Sequence, residues 1–120
     1  MKTKNGFTLL ELLVVIGIVG VLLSLVTVGF SKAQTQGRNT RRRQDLAAIQ
    51  NALEQYYANN SFTYPNGCAA GAGLSTYFTG GVIPTDPVST KSYTWNCTTS
   101  TYTITATLDP SGTIQVNQLQ

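Results

Sequence analysis

The chain has 120 residues, 42% of them hydrophobic and only 11% charged, with a formal charge of +3 and no histidine. That length leaves room for one small domain and no second core of useful size. Without His, a Ser beside a candidate base or a close carboxylate pair, the sequence offers no catalytic constellation, so an enzyme is not expected.

The first element runs from Phe7 to Phe30, FTLLELLVVIGIVGVLLSLVTVGF, 24 residues with one charge and no proline. As an α-helix it spans about 36 Å, more than the hydrocarbon core of a bilayer, so it reads as a transmembrane helix. It is too long and too aliphatic for a signal-peptide core, and no small-x-small cleavage site follows it, so it is expected to stay attached. From Ser31 to Asn59 only Gly37 weakens the helical pattern, and Leu46, Ile49, Leu53 and Tyr56 recur as one apolar stripe. The spacing predicts that one helix continues through residues 31–59 as an amphipathic segment, with stop signals at Asn59, Asn60 and Ser61 and Pro65 soon after. A helix of about 50 residues exceeds what so small a globule buries, so its first half is expected to project as a hydrophobic anchor.

Residues 60–120 read as a globular head. YPNGCAAGAGLSTYFTGGVIPTDP is a Gly- and Pro-rich loop with one short element at Leu74 to Phe78. Tyr93, Trp95 and Cys97 then share one face of a strand, and Tyr102, Ile104, Ala106 and Leu108 share one face of the next, with threonines opposite. DPSG, Asp109 to Gly112, is a turn with Pro in its second place, and Ile114 and Val116 continue the alternation in a third strand. A three-strand antiparallel meander on the helical stripe gives an α+β architecture. Cys68 and Cys97 read either as a disulfide, in an exported segment, or as two buried free thiols, and two Cys without His make a poor zinc set.

Two charge features remain. Glu11 lies inside the apolar run, where a carboxylate at mid-bilayer costs roughly 2.5 to 3.5 kcal/mol. Either it snorkels to the headgroups, or it meets a cation such as the new α-amine that a cut between Gly6 and Phe7 would place on Phe7, within one chain or between neighbours. The basic cluster Lys32, Arg38, Arg41, Arg42 and Arg43 reads as a solvated or headgroup-facing surface with local pairs such as Arg41 to Asp45, or as contacts to Asp86 or Asp109 of a neighbouring subunit. With Lys2 and Lys4 removed as leader residues, six basic side chains face five acidic ones. A broad nucleic-acid surface is then not expected, and the tyrosines and Trp95 read as packing rather than as a stacking platform for bases.

KNG followed by FTLLELLVVIGIVG, over Lys2 to Gly20, resembles the class III signal of type IV prepilins and type II secretion pseudopilins. RRRQDLAAIQNALEQYYANNSFTYP is similar to the amphipathic second half of the pilin helix, and VIPTDP to the segment before the sheet in small secretion-type pilins. The resemblance implies a leader over residues 1–6, cleavage after Gly6 by an inner-membrane prepilin peptidase, N-methylation of Phe7, and Glu11 meeting the Phe7 amine of an adjacent subunit during assembly. It implies a structural subunit of a type IV pilus or pseudopilus, stored in the membrane and assembled into a helical homo-oligomeric fibre by pilus or type II secretion machinery. A minor or competence-type pilin binding DNA or a surface is the alternative. A monomeric anchored domain would leave the Gly6, Phe7 and Glu11 arrangement without a role.

Many pilins carry a mid-anchor proline, where this anchor has Gly17, Gly20 and Gly29, read either as sites of local unwinding or as close-packing positions. Calcium is the metal the resemblance suggests, because major secretion pseudopilins bind it in the C-terminal loop region. Here Asp86 and Asp109 have too few carboxylates around them, so no cofactor or metal is expected. Counting basic residues on either side of the anchor would place the head in the cytoplasm. The leader and the cysteines argue instead for a single-pass protein of the bacterial inner membrane with its head outside, then a periplasmic or extracellular fibre.

Overall fold

The computed structural model describes residues 6–68 and 73–119; Lys2 and Lys4 of the expected leader lie outside them. Helix α1 runs unbroken over Leu9–Asn59, 51 residues. The chain divides into two compact units, residues 1–34 and 35–120.

In the first unit every described side chain from Phe7 to Phe30 is exposed. This part of α1 is long and apolar enough to cross a membrane.

The second unit holds the core. Strands β1 (Thr94–Cys97), β2 (Tyr102–Thr107) and β3 (Thr113–Asn117) form an antiparallel sheet in the order β1-β2-β3. Trp95 pairs with Ile104, and Ile104 with Val116, so the expected alternation holds across all three strands. Tyr102, Ile104 and Ala106 point into the core and meet Leu46, Ile49 and Leu53 of α1, the stripe read from the helical spacing. Truncating a fully buried leucine such as Leu53 to Ala costs about 2–5 kcal/mol at sites of this kind.

The helix ends where the sequence places its stop signals. Asn60 Nδ2 donates to the Tyr56 carbonyl (2.8 Å), the Phe62 N–H donates to the Tyr57 carbonyl (3.1 Å), and Ser61 and Phe62 both take positive φ. The short element expected at Leu74 to Phe78 is a 3₁₀ turn, Ser75–Tyr77, and a second, unexpected 3₁₀ turn follows at Thr79–Gly81. Gly80, at φ +78°, supplies the left-handed residue that breaks the second turn. The turn at Asp109 to Gly112 is present, with a cis Asp109–Pro110 peptide, and the Leu108 N–H donates to the Gly112 carbonyl across it (2.8 Å).

Candidate functional site

Gly6 and Phe7 lie just before α1, and Glu11 lies in its first turn. Phe7 is 89% exposed, and a methyl group built on Gly6 would touch nothing within 4 Å, so the Gly6–Phe7 bond stands clear of the described chain. Glu11 is not solitary. Its carboxylate accepts from the Thr8 N–H (3.0 Å) and the Thr8 hydroxyl (3.1 Å), while the Glu11 N–H donates back to the Thr8 Oγ1 (3.2 Å). This is a capping box: Thr8 is the N-cap, and Glu11, three residues on, satisfies donors that the first turn leaves without helical partners. The signal was in the sequence as TLLE. The carboxylate also sits at the positive end of the helix dipole.

The arginines form the second cluster, and here the structure corrects the sequence reading. Arg42 lies fully buried, and its Nε and Nη2 grip both Asp86 oxygens at 2.7 and 2.9 Å. Its Nη1 donates to Asp109 at 2.9 Å and to the Asn39 side chain at 2.8 Å. Asp109 also takes Arg38 (3.1 Å) and the Lys91 ammonium. The Val88 N–H closes on Asp86 at 2.8 Å. Asp86 and Asp109 thus meet arginines of their own chain. Contacts between residues 42, 86 and 109 have no sequence periodicity to announce them. The Arg41 to Asp45 pair is present, at 4.0 Å and with Arg41 exposed, and is worth a few tenths of a kcal/mol.

The electrostatics follow from these contacts. The Arg42 hydrogen bond holds the Asp86 carboxyl below its ordinary value against the opposing effect of burial. Lys91 first, then Arg42 and Arg38, hold Asp109 well below the usual carboxylate range, and Asp86 raises Arg42 above its own. The other head carboxylates are also engaged. Glu54 accepts from the Tyr64 and Tyr102 hydroxyls (3.1 and 2.7 Å) and the Leu119 N–H (3.1 Å), and Asp45 accepts from the Tyr93 hydroxyl (2.6 Å). Burial, then Glu54, pushes Tyr64 up to about 12. Burial, then Asp45, raises Tyr93 further, and burial, then Glu54, raises Tyr102 further.

Cys68 and Cys97 are joined in a disulfide, their Cα atoms 5.5 Å apart. Beside it the Gly67 N–H donates to the Cys97 carbonyl (3.3 Å) and the Tyr64 N–H to the Thr99 carbonyl (3.0 Å), so backbone bonds reinforce the link between the loop after α1 and β1. Among the described residues no group of three or more His, Cys, Asp or Glu could hold a metal ion.

A long apolar helix leading into a small antiparallel sheet is the α+β architecture that the pilin resemblance implies. The prokaryotic N-terminal methylation motif matches residues 1–27, which include Gly6, Phe7 and Glu11. The chain is similar to the type II secretion system core protein G of Klebsiella pneumoniae, 42% identical over 65 residues, 54% of this chain and 46% of that protein. The core protein G of Pseudomonas aeruginosa is 37% identical over 65 residues, 54% of this chain and 45% of that protein. A probable minor fimbrial protein of Dichelobacter nodosus is 33% identical over 67 residues, 56% of this chain and 42% of that protein. Each match covers less than half of the relative's own length. None of these names is that of an enzyme. No solved structure matches the chain significantly.

Proposed function

We propose that the chain is a structural subunit of a type II secretion pseudopilus or a related type IV pilus. A prepilin peptidase cuts between Gly6 and Phe7, the new amine is methylated, and residues 7–30 hold the processed chain in the membrane. The assembly machinery then packs the N-terminal helices of many copies into a helical fibre, with the heads outside the inner membrane. The observation that carries this reading is the apolar run from Phe7 to Phe30, exposed at every described side chain, which opens at an accessible Gly6–Phe7 bond and a carboxylate. A long apolar surface needs a bilayer or copies of itself, and storage followed by assembly supplies both in turn. The disulfide supports an oxidising location for the head. The engagement of Asp86 and Asp109 by Arg42, Arg38 and Lys91 supports a head that needs no bound calcium. Similarity to a probable minor fimbrial protein favours, as a second reading, a minor subunit.

The test is the intact mass of the protein recovered from sheared fibres and from membranes. A chain beginning at Phe7 with one added methyl group is expected in both fractions. A mass beginning at Met1, or absence of the chain from every fibre preparation, overturns the reading.

A further inference from the structure

Between residues 83–92 and strand β1 lies a groove of about 670 Å³, within the roughly 300–1,000 Å³ range of small-ligand sites. Its charged and phenolic members are already bonded inside the chain. Asp86 is held by Arg42, the Lys91 ammonium by Asp109, and the Tyr93 hydroxyl by Asp45. What remains to meet a ligand is neutral. The Thr85, Ser89 and Ser92 hydroxyls bond no partner among the described residues, and they line the groove beside Trp95, Ile83 and Pro84. Trp95 packs partly on the core and stays half-buried.

We propose that this groove binds a short neutral oligosaccharide. A pyranose ring presents an apolar C–H face and a rim of hydroxyls. The first suits an indole with aliphatic neighbours, and the second suits serine and threonine hydroxyls, which both donate and accept. A charged ligand would lose its hydration and find no unpaired opposite charge in the groove, a net penalty. The inference does not depend on fibre assembly.

Trp95 is the only tryptophan in the chain, so its emission reads the groove directly. The full chain, purified in a detergent without a sugar headgroup such as lauryldimethylamine oxide, is titrated with cellotetraose, maltotetraose and chitotetraose. At least one is expected to give a saturable emission change with a Kd of about 1 mM or tighter. Ser89→Ala and Ser92→Ala are each expected to weaken it about fivefold, the effect of losing one net hydrogen bond. Ser92→Leu, which fills the groove, should abolish it with the melting curve unchanged. The proposal is overturned if none of the three saturates up to about 10 mM, a level that would reveal any millimolar site. It is equally overturned if the serine variants bind as the wild type does, or if dextran sulfate binds and the neutral sugars do not.

Discussion

Glu11 has two jobs open to it at the start of α1, and they make different demands on the side chain. As the third helical residue of a capping box it must accept hydrogen bonds from Thr8, which a neutral amide also does. As the partner of a Phe7 amine it must carry a negative charge. Glu11→Gln keeps the first ability and removes the second, whereas Glu11→Ala removes both. The pairing role therefore predicts that both variants insert in the membrane and both lose most of their fibre yield. If Glu11→Gln assembles normally while Glu11→Ala does not, the carboxylate acts through the cap alone. Arg42 poses the opposite problem, a buried charge whose removal strands another. Arg42→Met leaves Asp86 almost wholly buried without its guanidinium, and breaking a buried pair in this way costs about 3–5 kcal/mol. The double variant Arg42→Met/Asp86→Leu removes both charges and should recover at least half of that loss in a urea melt. A single variant within about 1 kcal/mol of wild type would mean that the pair contributes little, the ordinary result for an exposed pair.

At the scale of elements, what the sequence discloses divides by distance along the chain. The 3.6-residue stripe of α1, the alternation of β2 and the stop at Asn59 to Ser61 are local patterns, and the structure carries all three. The capping box is equally local, and T-x-x-E was legible at Thr8. The contact of Arg42 with Asp86 and Asp109 spans 44 and 67 residues, and neither spacing nor propensity encodes it. The same holds for Glu54 beneath Tyr64 and Tyr102. The disulfide lies between: two cysteines in one exported half suggested a pair, but only the fold brings Cys68 beside β1. With the cysteines 29 residues apart, the chain-entropy model assigns the closed loop roughly 3–4 kcal/mol. Reduction of the full chain in detergent should therefore lower its melting temperature by several degrees or more. An unchanged melt would show that the two backbone bonds beside the bridge hold the loop unaided. The tyrosines give the same elements an alkaline limit. Tyr64 rises from 10.0 to about 12 on folding, so its contribution is complete below pH 10, where both states keep the phenolic proton. Above pH 10 the unfolded chain ionises while the folded one does not, and stability falls until pH reaches about 12. Tyr93 and Tyr102, raised further, prolong that fall. Urea midpoints should stay level up to pH 10 on this account and drop above it, and Tyr64→Phe should make the drop shallower. A slope unchanged in that variant would take Tyr64 out of the account.

For the whole molecule the governing contrast is between one unit with a core and another without one. Residues 35–120 bury Leu46, Ile49, Leu53, Tyr102 and Ile104 against one another and carry the disulfide. Every described side chain from Phe7 to Phe30 faces outward instead. Monomeric soluble proteins rarely expose contiguous apolar patches larger than a few hundred Å², so residues 7–30 should govern association. A chain lacking residues 1–30 loses the exposed apolar run but keeps the core stripe of α1, the Arg42 contacts and all three strands. It should therefore sediment as a monomer in detergent-free buffer and melt cooperatively, while the full chain should need detergent to stay dispersed. Glu11 and Thr8 are lost with the anchor, but their capping bonds lie among residues 8–11 alone, so the core does not depend on them. Should the truncated chain aggregate as the full one does, the associating surface would lie on the head, at exposed apolar residues such as Phe62, Val82 and Leu119. Polar substitutions at those three positions would then disperse it, and the case for an anchor-driven fibre would fail.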